Sequence, residues 1–439
     1  MSELESGANL EADPSTASRS PSLSQVDGED RRVARVRVRA GSLRVALKDV
    51  LDVVSRSNTL PILGNVLVEV AGSAIALTAT DLDCLARRDF ACEKQDVGEM
   101  GFALTLPAQV LADVLGEIDA DAMLTLGAPI VGDTRATLVA GRSRFRLPVL
   151  PATDFPTMDF PEGEGATLDL PCSQLADAFA AVEHAISTEE TRYYLTGIYL
   201  HAHQVPGEPL VLRFVATDGH RLARLTLADV EGAEAWPAAI VARKTVGLLD
   251  KLLGAASKAS DTARVLVDAA GTASGAGGRI RWSFDLADGG SIELVAKTID
   301  GDFPDYARVI PTTCEVHAFI DRASLSAAVK RVAVLAEAKS RFVKAEFERD
   351  VLTLTVTSPE SGEASEEVPC SYSAEPLTIG FDAKYWRDAL GALACDTVAM
   401  GMSDRMGPVR IRAVEGPSTG SGSSEECERL VQVLMPVRV

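Results

Sequence analysis

The sequence predicts an α+β protein made of three similar tandem units, each with two amphipathic helices packed on antiparallel sheets. Three observations lead there. An alternating strand ending in a Thr-Asp or Thr-Ser turn occurs as LTATD at 77–81, FVATD at 214–218 and LTVTS at 354–358, spaced by 137 and then 140 residues. A helix-like segment recurs at that spacing in LPAQVLADVLGEI from Leu106, VARKTVGLLDKLL from Val241 and FDAKYWRDALGAL from Phe381. An earlier one recurs in SLRVALKDVLDVVS from Ser42, SQLADAFAAVEHAIS from Ser173 and ASLSAAVKRVAVLAE from Ala323.

Residues 1–32 are rich in Ser, Glu, Asp and Pro with few large apolar side chains, so they read as an acidic tail that cannot repay the entropy of ordering. The units then run over 33–161, 162–308 and 309–439. In each, apolar residues at i, i+3, i+4 and i+7 mark the helices and period-two alternation marks the strands. The Gly-rich GTASGAGG at 271–278 lacks a following Lys-Ser/Thr and precedes the strand-like RIRWSF, so it reads as a hairpin loop and not a phosphate loop. A polar stretch, EGPSTGSGSSEECE at 415–428, reads as a loop before a last apolar strand, LVQVLMPVRV. A helix with one apolar stripe leaves its other face free, and six such faces laid edge to edge could form a lining.

The composition, 46% hydrophobic and 24% charged, is that of a globular protein. No long apolar run and no basic-then-apolar N-terminus is visible, so no membrane association is expected and the cytoplasm is the default compartment. Seven cysteines without a CxxC pair argue against a disulfide framework or a Cys-rich zinc site. A formal charge of −20 argues against nucleic acid on average but not locally. Arg322 to Lys344 holds six basic residues and one acid, and Val241 to Ser260 four and one; from charge alone, ordinary solvated helix faces are the commoner explanation.

The isolated motifs have bland readings. In TDGHRL at 217–222 the Asp-Gly pair is a hairpin signal. His201 and His203 alternate on one strand without a nearby Cys or acidic partner, so an exposed strand end is favoured over a metal site. Asp300, Asp302 and Asp305 around Phe303 and Pro304 fit a capped turn at a unit boundary.

Longer strings carry a resemblance. TLPILGNVLVEV (59–70), GRSRFRLPVLPATDFP (141–156), RYYLTGIYL (192–200), VATDGHRLA (215–223), DGDFPDYARVIP (300–311) and VLMPVRV (433–439) are similar to the bacterial DNA polymerase III beta subunit family, collinearly from about residue 33 to the C-terminus. The resemblance implies three clamp domains forming a half ring, closed head to tail by a second copy around duplex DNA. It implies a processivity factor that has no catalytic residue and needs no cofactor or metal. Expected partners are double-stranded DNA, the polymerase III alpha subunit, the clamp loader, and other polymerases and repair proteins carrying clamp-binding motifs.

By motif position the resemblance assigns DNA contacts to Arg56, Arg192, Tyr193, Tyr194, Arg243 and Lys244, with the helix around Lys330 and Arg331 as a further candidate. It assigns a peptide cleft between the second and third units to Leu195, Thr217, Gly219, His220, Arg221, Leu222, Pro304, Arg308, Val309, Tyr385, Met406, Val433, Leu434, Met435 and Pro436. Apolar side chains there suit a short extended peptide, and Met adapts to several partners. The sequence departs from the family pattern at Glu189 and Glu190 before RYYL, at Ala307 and at Pro408. Two other readings compete with this one. A hydrolase using the Asp-rich loop and His220 lacks a nucleophile elbow, Walker motif or metal-ligand set. A clamp-like scaffold that binds partners without serving the main replicase is separated by DNA retention with a cognate loader.

Overall fold

A computed structural model of the chain describes residues 34–54, 60–92, 94–95, 101–129, 133–158, 160, 166–204, 209–259, 264–270, 278–336, 342–414 and 429–438. The tail at 1–32, Arg56, most of the Gly-rich 271–278 segment and the 415–428 stretch lie outside them.

The helix pairs stand where the periodicity put them: α1 (Ala40–Leu51) with α2 (Ala108–Gly116), α3 (Cys172–Val182) with α4 (Arg243–Ala259), and α5 (Arg322–Val332) with α6 (Ala383–Gly391). Each begins directly where a strand ends. In the third unit the turn between them is a capping Asp. Asp321 accepts from the Ser324 amide at 2.7 Å, and Asp382 accepts from Lys384 and Tyr385 at 2.7 and 3.0 Å. Helix α1 buries Leu43, Ala46, Leu47 and Val50 on one face, leaving Ser42, Val45 and Lys48 exposed on the other. Burying each such leucine contributes about 1.5–3 kcal/mol, so a charge at Leu47 would detach the helix.

The sheets do not stop at unit boundaries. Ser291–Lys297, the last strand of the second unit, pairs antiparallel with Cys84–Ala91 of the first, making one eight-stranded sheet. Leu430–Leu434, the last strand of the third unit, pairs in the same way with Arg221–Ala228 of the second, within a twelve-stranded sheet. A five-stranded sheet of the first unit ends at Ser143–Pro148. The first two units share one continuous apolar core, the third has its own, and a small cluster of Val215, Leu222, Tyr306, Val431 and Val433 joins the second to the third.

Candidate functional site

The Thr217–Leu222 turn connects Val211–Thr217 to Arg221–Ala228, and its side chains fix it. Thr217 Oγ1 accepts from the Gly219 amide at 3.1 Å and donates to the Arg221 carbonyl at 2.7 Å. Asp218 Oδ1 accepts from the amides of His220 and Arg221 at 2.9 and 3.0 Å. Gly219 has φ +87°, a conformation that favours glycine, and the end of the Arg192 side chain lies against it.

Arg221 organises the junction. Its side chain is 6% exposed, with Nε donating to Asp218 at 3.0 Å and Nη1 to Asp388 of α6 at 2.7 Å. Its guanidinium lies 4.2 Å from the centre of the Tyr385 ring, and that ring stacks with His220 at 6.4 Å. Beside them is a cavity of about 540 Å³ bounded by His184, Glu189, His220, Arg221, Arg243, Lys384 and Tyr385. It brings the turn together with Arg243, which the resemblance assigned to DNA.

The electrostatics follow from burial. His184 is pushed down to about 4, first by burial and then by Arg221, and its Nε2 lies 3.2 Å from Gln432 Oε1. Burial alone would raise Asp388, but hydrogen bonds from Lys384 and Arg221 hold it below the usual carboxylate range. Tyr385 is pushed up by burial and by Asp218.

The C-terminal segment closes one side: the Met435 amide donates to the His220 carbonyl, and Val437 to Gly380, both at 2.9 Å. Met435 and Pro436 are half-buried there. Pro304, Arg308 and Val309 stand exposed on the connector between units, with Arg308 paired to Asp305 at 2.8 Å. Met406 is exposed on a turn in which Asp404 accepts from two amides. Leu195, Thr217, Leu222, Val433 and Leu434 are buried. Leu222 and Val433 lie in the small cluster around Tyr306, whereas Leu434, on the opposite face of its strand, lies in the core of the third unit.

Of the residues assigned to DNA, Tyr193 is exposed and meets Tyr194 edge to face at 5.7 Å. Arg192 is engaged, pairing with Glu189 at 2.7 Å and donating to the Asp218 carbonyl at 3.0 Å. Lys244 pairs with Asp81 of the first unit, while Arg243 is exposed at the start of α4. Arg56 lies outside the described residues.

His201 departs from expectation. It is buried, not an exposed strand end, and its Nε2 lies 2.9 Å from Tyr306 Oη. Among the described residues no cluster of three or more His, Cys, Asp or Glu could hold a metal. Sequence reasoning did not single out His184, Lys384 or Asp388. Only the repeat offset, which places Lys384 where Lys244 stands, could have signalled one of them.

The three units match, in order, sequence models of the DNA polymerase III beta subunit: N-terminal domain at 35–159, central domain at 169–305 and C-terminal domain at 307–421. The beta sliding clamp of Caulobacter vibrioides is 36% identical over 414 residues, covering 92% of this chain and all of that protein. The Escherichia coli K12 beta sliding clamp is 31% identical over 382 residues, 87% of this chain and 93% of that protein. Among solved structures, a Bartonella birtlesii DnaN sliding clamp bound to griselimycin superposes with TM-score 0.80 at 34% identity, covering 93% of this chain and all of that one. A Caulobacter crescentus beta sliding clamp gives TM-score 0.81 at 35% identity with the same coverage. On this evidence the chain belongs to the DNA polymerase III beta subunit family, the beta sliding clamps.

Proposed function

We infer that the chain is a DNA sliding clamp, a non-enzymatic processivity factor for the replicative polymerase, and propose that two copies close head to tail. The sheet topology carries the second step. At both junctions within the chain, the last strand of one unit adds antiparallel to the fourth long strand of the preceding unit. The same rule leaves one strand of each kind over. Among the described residues Ser143–Pro148, last in the first unit, is a sheet edge, and Gly362–Ser371 of the third pairs along one side with Val351–Ser358 and on its other side only at Cys370 and Ser371. An unpaired edge seeks a partner, and these two are complementary in charge: Arg144 and Arg146 on one, Glu363, Glu366 and Glu367 on the other. Two copies related by a twofold satisfy both edges at once and close a ring.

Retention on DNA then needs only enclosure with weak phosphate contacts, since strong ones would stop sliding. Exposed Lys48, Arg243, Lys244, Lys251, Lys258, Lys330, Arg331, Lys384 and Arg387 place positive charge on helix faces of a chain whose net charge is −20. The reading is tested by light scattering and by loading onto nicked circular DNA. A dimer retained on the circle and released on linearisation is expected. R144E/R146E yields monomers, and E363R/E367R in the other copy restores pairing. A wild type that stays monomeric at every concentration overturns the closure.

The surface formed by His220, Pro304, Val309, Tyr385, Met406, Met435 and Pro436 we assign to capture of a short extended peptide from the polymerase alpha subunit, the clamp loader and repair proteins. Apolar walls with Arg308 and His220 at the rim suit that task. Deleting Met435 to Val439 is expected to abolish binding of a labelled alpha-subunit peptide, and equal binding by both forms would move the site elsewhere.

A further inference from the structure

We propose that His201 and Tyr306 are positioning residues for the connector wall of the peptide cleft, a role that rests on the cleft assignment above. The connector presents two sets of side chains. Pro304, Arg308 and Val309 point out, whereas Phe303 and Ile310 are half-buried and Tyr306 is buried. Its regular structure is one 3-10 turn, Tyr306–Val309, too short to be stable by itself. Whatever presents the outward set must therefore be tertiary.

Three contacts supply it, from strands of the second unit that lie beneath and from Leu430–Leu434 of the third. Tyr199 stacks flat on Phe303, with ring centres 4.8 Å apart and planes 6° from parallel. Val215, Leu222, Val431 and Val433 pack around Tyr306, with Ile310 against the same cluster. The third contact is polar and directional. His201 Nδ1 lies 2.8 Å from the Ala202 carbonyl, which can only accept, so Nδ1 carries the hydrogen. In the neutral ring Nε2 is then an acceptor and takes the Tyr306 O–H at 2.9 Å, while the Tyr306 oxygen accepts from Arg213 Nη1 at 3.3 Å. The chain Arg213 to Tyr306 to His201 to Ala202 runs in one donor-to-acceptor direction, and Tyr306, His201 and Arg213 are all at most 9% exposed. None of the three belongs to the outward-facing set. Their effect on a bound peptide passes through Pro304 on one side of Tyr306 and Arg308 and Val309 on the other, by holding them in the bound arrangement before the peptide arrives.

The test compares wild type with Y306F, H201A and H201Q in the full-length dimer. It uses anisotropy of a fluorescein-labelled alpha-subunit peptide, and hydrogen exchange across 300–311. Y306F and H201A are expected to weaken the peptide about tenfold and to speed exchange at 303–310, with dimerisation and retention on circular DNA unchanged. H201Q, whose amide oxygen can still accept from Tyr306, recovers most of both. Binding within twofold of wild type in Y306F and H201A, or exchange unchanged at 303–310, overturns the proposal. Failure of wild type itself to bind the peptide would instead remove the cleft assignment, and the exchange comparison would still decide whether the pin exists.

Discussion

The two junctions within the chain are the same backbone arrangement fitted with different side chains. The turn at 80–84 and the turn at 217–221 are offset by 137 residues, so Cys84 stands where Arg221 does; α4 and α6 are offset by 140, so Thr245 stands where Tyr385 does. The equivalent pairs touch in both places. Cys84 Sγ is 3.6 Å from Thr245 Oγ1, and Arg221 lies 4.2 Å over the Tyr385 ring. The small pair packs into a core shared by the first two units, whereas the large charged pair borders the 540 Å³ cavity. Even the turn differs, with Leu82 at φ +78° where Gly219 sits at +87°. A left-handed leucine costs about 1–2 kcal/mol, tolerable where the surrounding sheet is firmly held. The two equivalent positions thus differ in outcome, with a small packed pair at the first junction and a large pair beside a cavity at the second.

If the first junction is the structural one, its buried charge is where a mutation does most harm. Arg88 is 1% exposed and donates to Asp49 of α1 at 3.1 Å and to Asp288 of the second unit. Asp49 is itself raised by burial despite that arginine. R88A should cost about 3–5 kcal/mol, toward the lower figure because Asp288 is half exposed. A loss below about 1 kcal/mol in urea denaturation would mean that the shared core alone holds these units together.

Giving the second junction the side chains of the first should cost less stability and more function. R221C/Y385T removes the cation–π contact and leaves Asp218 and Asp388 without Arg221. Peptide affinity is expected to fall more than tenfold while dimerisation and DNA retention persist. Unchanged affinity would show that the cavity and the peptide surface are separate.

The repeat made the helices and the three-unit plan legible, because periodicity is local and recurs. Strand pairing across units was not, since Cys84–Ala91 and Ser291–Lys297 lie some two hundred residues apart and nothing in either names the other. Nothing in the sequence separates Arg88 from its neighbour Arg87; the pleat does, turning Arg87 outward and Arg88 inward. His201 read as exposed for a related reason, because the connector that covers it begins a hundred residues later. For the site, the motif residues were placed by resemblance. The buried ones, Leu195, Leu222, Val433 and Leu434, could not be told from the exposed members without the sheet.

The junctions should also part company in acid. His184 and His201, both facing the second junction, are held at about 4, mainly by burial. The groups around them are Arg221, Lys384, Asp388 and Gln432 for His184, and His203, Arg213 and Tyr306 for His201. A histidine with a folded pKa below its unfolded 6.5 takes up its proton only on unfolding, so the stability it contributes is full above about pH 6.5 and declines as pH falls toward 4. The slope is about 1.4 kcal/mol per pH unit for each ring. Asp49 at the first junction has the opposite sign, because a raised carboxyl takes up a proton more readily when folded. Hydrogen exchange at pH 7 and pH 5 should therefore show 430–434 loosening before 291–297, and H184Q/H201Q should flatten the difference. Equal loosening of both strands would sink the contrast.

The smallest effect is expected from the pairs that look most like bonds between units. Lys251 and Asp52 approach to 2.6 Å, but their side chains are 64% and 44% exposed. At that exposure water screens the attraction and ordering two long side chains offsets much of it, so such pairs are worth about 0–1 kcal/mol. K251A should change stability by less than about 0.5 kcal/mol, and less still at high salt. The ranking is sharpest in a double-mutant cycle with D52A at low ionic strength. A coupling above about 1.5 kcal/mol would mean that the exposed rim, together with Lys244 on Asp81 and Lys297 on Asp83, holds the first junction as firmly as Arg88 does. Contact distance would then outrank burial as the guide to what joins one clamp domain to the next.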